Sequence, residues 1–283
     1  MKLSERILKI VFATAAVVSI VAVLLICVFL FANSVPAIEK IGLIDFLVGR
    51  NWKPSQNIYG IFPMIIGSIY VTAGATIIGV PTGFLTATFL AKFCPDKLYN
   101  PLKTAVNLLA GIPSVVYGFF GLVVVVPLVQ KLTGTSGKSI LTASIILGIM
   151  ILPTIINVAE SSISTVDDSY YQGALALGAT HERAVFATVC PAAKSGVFAG
   201  IVLGIGRAIG EAMAVSMIAG NQPVIPNGIL SGVRTLTSNI VIEMGYAADL
   251  HRDALIATAA VLFVFIMIIN IAFSLLKKGG VKR

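Results

Sequence analysis

The sequence predicts an all-α, polytopic membrane protein with six transmembrane helices. Three observations carry this prediction. Of 283 residues, 57% are hydrophobic and only 11% are charged, where an ordinary soluble domain carries about 25% charged residues. The mean hydropathy is +0.99. Six separate stretches are apolar over the ~20 residues that a helix needs to cross a bilayer. A soluble fold could not cover its surface with so few charges, so a cytosolic enzyme, a disordered chain and a nucleic-acid-binding module are all excluded.

The first stretch, 7–31, follows Lys2, Arg6 and Lys9. Its basic flank resembles a signal peptide, but the apolar run exceeds the roughly 7–15 residues of such a leader and reads as a retained span. A polar segment, 32–61, contains Trp52 and Pro54. The remaining spans are expected at 62–91, 104–130, 140–158, 196–220 and 254–276. Six spans place both termini on one side. With the N-terminus inside, twelve Lys and Arg fall in cytoplasmic segments and seven outside, so the positive-inside rule puts both termini in the cytoplasm of a plasma-membrane protein. The net charge of +8 is thereby read as an orientation signal. Segment 221–253 spaces Val233, Leu236, Ile240 and Met244 at helical steps, as an amphipathic interfacial helix would.

Few residues suit chemistry. Cys27, Cys94 and Cys190 are widely separated, and His181 and His251 are the only histidines, so no metal centre is expected. Run 134–139, Gly134-Thr-Ser-Gly137-Lys138-Ser139, imitates a phosphate-binding loop, yet Leu132 stands where the pattern needs glycine and no strand precedes it. No nucleophile–base constellation suggests an intramembrane enzyme. Arg207 and Glu211, by contrast, lie inside an apolar span, where each charge costs about 2.5–3.5 kcal/mol. Four residues apart, they would stack on one helix face. Two readings follow: an ion pair that locks helices, or an arginine that offers its forked donors to a passing oxyanion beside a modulating carboxylate. Gly200-x-x-x-Gly204 and Gly206-x-x-x-Gly210 read as close helix packing. Gly111, Pro113, Ser114 and Tyr117 mark a break in the third span, either a kink or part of a pathway. Glu160 is expected at the cytoplasmic surface.

The long cytoplasmic segment 159–195 is the most informative. Residues 172–177 suit a short helix, Gly178 a turn and 179–189 a second helix, an elbow fit for docking.

This elbow resembles the EAA loop of ABC importer permeases. Gly178 matches the loop's glycine and Pro191 falls at the matching distance, while Gln172, Gly173 and Cys190 depart from the usual glutamate, alanine and leucine. Residues 173–180, Gly-Ala-Leu-Ala-Leu-Gly-Ala-Thr, together with 107–121, 149–156, 204–211 and Gly220-Asn221, resemble the Pst-type phosphate permeases, the PstC-type subunit more than the PstA-type. The resemblance covers about residues 52–277. It implies a type I ABC importer permease-like transmembrane domain, with 1–60 forming an N-terminal helix and extracytoplasmic segment and 61–283 a permease core whose coupling loop lies at about 160–195. It further implies phosphate as substrate, a second permease subunit, an ATPase dimer that uses ATP and magnesium, and an extracytoplasmic phosphate-binding protein. This chain itself would bind no cofactor. Gln172, Gly173, Ala174, Leu175, Gly178, Ala179, Thr180 and His181 would couple to the ATPase, and Arg207 would line the phosphate path with Glu211. Permeation of sulfate or molybdate, or transport without an ATPase, are the alternatives.

Overall fold

The computed structural model describes residues 3–279, with side chains from 8 to 272. Of the charges counted above, Lys2, Lys282 and Arg283 lie outside the described residues, and Arg6, Lys277 and Lys278 outside the described side chains. Helix α1 (Leu3–Ile41) is longer than the expected span: it runs on through Pro36 and stops only before Gly42, whose φ of 89° needs glycine. It touches the rest of the molecule mainly along the last helix and otherwise presents Val, Leu, Ile and Phe outward, as lipid contact requires. After α2 (Leu43–Val48), a two-residue pair, β1 (Trp52–Lys53) and β2 (Ile58–Tyr59), sets Trp52 opposite Tyr59.

Helix α3 (Phe62–Thr88) runs into a π-helical turn at Phe89–Phe93. Next come α4 (Asp96–Gly111), α5 (Ser114–Phe120), a second π-turn (Gly121–Val125) and α6 (Val126–Thr133). The third span is therefore Ser114–Thr133, not 104–130. Pro113 denies its N–H to the preceding turn and forces Ile112 into extended backbone, which frees α4 as a separate amphipathic helix. Run 134–139 is a plain helix–helix link. Gly134 and Gly137 take positive φ, and the Ser139 hydroxyl accepts from the amide of Thr142 to cap the next helix.

That helix, α7 (Ile140–Ser164), is the centre of the molecule. Small residues bring its neighbours close. On α3, a Cβ at Gly79 would stand 2.7 Å from the Ile151 side chain. On α11 (Lys194–Gly210), Gly196, Gly200 and Gly204 face Ser162, Val158 and Ile155 of α7, so the first small-residue pair packs as expected. Gly206 and Gly210 do not, because open space surrounds both.

Between α7 and α11 lies the elbow: α8 (Asp168–Ala176), α9 (His181–Ala184), a π-turn (Val185–Val189) and α10 (Cys190–Ala192). The chain then bends by 72° into α11. The fifth span stops at Gly210, not at 220; Glu211 is extended, and α12 (Met213–Ile218) follows. Helix α13 (Leu236–Glu243) buries Leu236, Thr237, Ser238, Asn239 and Glu243. It is thus a packed helix, not an interfacial one, and Val233 pairs with Gly220 outside it. Helix α14 (Asp249–Gly279) ends the fold. Among the described residues, five helices are long and apolar enough to cross a membrane, and the bent pair His181–Ala192 and Lys194–Gly210 makes six.

Candidate functional site

Arg207 sits three residues before the end of α11, half-buried. Its Nη1 donates to the hydroxyl of Thr154 on α7 at 3.3 Å. The expected stacking with Glu211 does not occur. Glu211 lies past the last helical turn, and its Oε1 accepts from the amide of Ala214 at 2.9 Å, capping α12. Among the described residues neither takes part in an ion pair, whereas Lys103, Arg234 and Glu243 do. A four-residue spacing stacks side chains only in continuous helix, and the backbone here turns extended. The guanidinium therefore keeps most of its donors unengaged among the described residues.

The break in the third span reaches this place. Its Gly111 meets nothing where a side chain would be, and Ser114 opens α5 after Pro113. Tyr117 is buried, and its hydroxyl donates to the carbonyl of Leu109 at 2.8 Å. That carbonyl would have received the N–H of residue 113, which proline lacks. The tyrosine repairs the break, and the next residue, Gly118, comes close to Ala214 of α12, the helix that Glu211 caps.

A polar track continues from Thr154 along α7. Asn157, one short turn on, donates through Nδ2 to Asn107 Oδ1 at 3.2 Å and accepts from Lys103 Nζ at 2.8 Å. Lys103 also pairs with Glu160 Oε2 at 2.6 Å, and the Tyr99 hydroxyl donates to Oε1 at 2.8 Å. Glu160 is buried at 5% exposure, not at the surface as its position near a span end suggested. Sequence reasoning did not single out Thr154, Asn157, Asn107, Lys103 and Tyr99. The usable signal was polar residues recurring on two helices that pass close to each other.

The elbow forms a second site. The Asp167 carboxylate accepts from the Ser169 amide at 2.8 Å and starts α8; hydrogen bonding from Ser169 holds this carboxyl below its ordinary range. Gln172 donates to Asp168, and Gly178 turns the chain at φ 84°. Thr180 caps α9, so the second helix begins at His181, not at 179. His181 Nδ1 lies 2.7 Å from the Tyr171 hydroxyl, and its ring packs edge-on to Phe93 beyond α3. Leu177 projects into solvent at 92% exposure. Gly173, Ala174, Gly178 and Ala179 line one cleft of about 530 Å³. Leu175 is partly buried.

At the far end from the elbow, Glu243 accepts from Arg234 and, at 2.8 Å each, from Trp52 Nε1 and His251 Nε2. This network ties the β1–β2 pair to α13 and α14. Burial, and then the Glu243 charge, push the Tyr59 phenol up. Among the described residues no group of His, Cys, Asp and Glu is arranged to hold a metal.

A chain of bent and broken helices that carries an arginine without a carboxylate partner among the described residues, and an elbow at one end, has the build of a membrane permease. The family described as binding-protein-dependent transport system inner membrane component matches residues 79–279, and the chain belongs to it, as a multi-pass inner-membrane protein. Among relatives, the probable ABC transporter permease protein YqgH of Bacillus subtilis is 35% identical over 274 residues, covering 93% of this chain and 88% of that protein. The phosphate transport system permease protein PstC of Haemophilus influenzae is 33% identical over 280 residues, with 92% and 89% covered. The fold is that of ABC transporter transmembrane domains. A chain of the inward-facing MetNI methionine ABC transporter aligns at TM-score 0.62 and 18% identity, over 81% of this chain and 99% of that one. A bacterial alginate ABC transporter aligns at TM-score 0.62 and 16% identity, with 96% of each covered.

Proposed function

We propose that the chain is a non-catalytic permease subunit of an ATP-driven importer that moves inorganic phosphate across the plasma membrane into the cytoplasm. One observation carries the reading. Arg207, on the inner arm of the bent fifth span, is held by a neutral hydroxyl, and no carboxylate among the described residues pairs with it. Such a cation is costly unless an anion visits it, and its planar fork suits the oxygens of phosphate. The phosphate permease relatives, similar over most of the chain, support the choice of oxyanion. Glu211 is committed to capping α12, and we assign it the shape of the path rather than contact with the ion.

The partners follow from the same reading. The elbow, with Leu177 and the cleft beside it, docks a cytoplasmic ATPase that holds ATP and magnesium; this chain binds no cofactor. A second permease subunit of the PstA type covers the open face of α4, α5 and α11, and a phosphate-binding protein delivers the ion at the opposite end. Both termini then lie in the cytoplasm. The test is uptake of radiolabelled phosphate by the assembled transporter in proteoliposomes. Arg207→Ala should lower the rate per complex by roughly 10- to 150-fold, the worth of one charged hydrogen bond of about 1.5–3 kcal/mol. Unchanged uptake would remove the residue from the path, and uptake of sulfate in place of phosphate would move the chain to another oxyanion.

A further inference from the structure

Arg207 is not the only cation that the polar track offers. Lys103 reaches the same face of α7 from α4. Its ammonium stands 2.8 Å from Asn157 Oδ1 and 2.6 Å from Glu160 Oε2. Asn157 follows Thr154 by three residues, a rise of roughly 4.5 Å. An oxyanion released by Arg207 at Thr154 is therefore one short step from Lys103.

The surroundings of Lys103 differ from those of a simple helix tie in two ways. Exposure is uneven across the pair: the lysine side chain is 24% exposed and the glutamate 7%, so a particle on the open face meets the cation first. Amide donors stand beside it as well. Asn157 Nδ2 gives one hydrogen to Asn107 Oδ1, and among the described residues the NH2 of the exposed Asn107 has no hydrogen-bond acceptor. Glu160 is anchored a second time by the Tyr99 hydroxyl, so its carboxylate stays hydrogen-bonded when the lysine turns away.

Resting on the phosphate-permease reading, we propose that Lys103, Asn107 and Asn157 form a second oxyanion station between Arg207 and the elbow end of the path, with Glu160 as its resident competitor. Glu160 holds the ammonium between transport events. Hydrogen phosphate arriving from Arg207 takes the lysine and the two amides, and the carboxylate then reclaims the lysine as the ion leaves. Competition by a fixed carboxylate keeps occupancy brief, and a path must bind its ion well enough to admit it and weakly enough to release it.

The experiment uses the complete transporter in proteoliposomes, with radiolabelled inorganic phosphate and uptake expressed per assembled complex. The unmodified complex is measured first: if it carries no phosphate, the function reading falls before the station is tested. Lys103→Gln should slow uptake at least tenfold, while Lys103→Arg keeps a third or more of the rate. Breaking a buried pair by removing one partner also harms folding, so the double variant Lys103→Gln/Glu160→Gln decides. Without a stranded carboxylate it should assemble normally yet still transport at least tenfold slowly. Glu160→Gln should make uptake inhibitable by phosphate preloaded inside the vesicles at about tenfold lower concentration. A double variant that transports at the unmodified rate, or a Glu160→Gln complex with unaltered inhibition, would show that the pair only joins α4 to α7.

Discussion

Arg207 stands thirteen residues into α11 and meets Thr154 across the helix interface. Its recognition needs the fork and not only the charge, so Arg207→Lys should leave uptake between the unmodified and alanine proteins, near a tenfold loss. Tyr117→Phe is a cleaner structural probe. It strips the Leu109 carbonyl of its 2.8 Å partner and leaves a 3.4 Å bond from Ile112. The expected cost is about 1–3 kcal/mol, seen as a lower thermal unfolding midpoint in detergent. At this scale the sequence was legible where a residue is expensive. A lone arginine in an apolar run stands out because desolvating it costs more than any packing role returns. Lys103 and Glu160 were not legible, since the sequence puts each at the end of an expected span, where charges are ordinary, and only the approach of α4 to α7 makes them a pair.

The elements were legible where apolar length decides them, as in α3 and α7, and less so where the backbone breaks. Periodicity assumes a continuous helix. It therefore merged α4 with α5 across Pro113 and carried the fifth span through Glu211, which is extended. The glycines of α11 now separate by environment. Gly200→Leu forces a side chain against Val158, where a Cβ would already stand 3.1 Å away, and should destabilise by about 1–3 kcal/mol. Gly206→Ala, in open space, should leave the unfolding midpoint unchanged or slightly raised; thermal unfolding of the two proteins side by side checks this. In the elbow, Gly178→Val puts a β-branched residue at φ 84°, costing about 1–2 kcal/mol locally. Copurification of the ATPase should then fail while the spans stay folded by circular dichroism.

At the scale of the whole molecule, the elbow and the Glu243 network mark opposite ends, and orientation is open to direct measurement. In a background free of Cys27, Cys94 and Cys190 and without the ATPase that would cover the elbow, Leu177→Cys should react with an impermeant thiol reagent in inside-out vesicles and resist it in right-side-out ones; the reverse pattern would invert the topology. The far-end network escaped sequence reading because Trp52, Arg234, Glu243 and His251 are scattered over two hundred residues and converge only through folding. The bend at Ala193 has one further consequence. No flexible loop separates α10 from α11, so the elbow and the arginine ride on one crank. With Arg207 roughly 20 Å along the arm, each degree of rocking at the bend swings the guanidinium sideways by about a third of an ångström. A tilt of some ten degrees, imposed wholly from outside the membrane, is then enough to carry the cation from one hydrogen-bond partner to another.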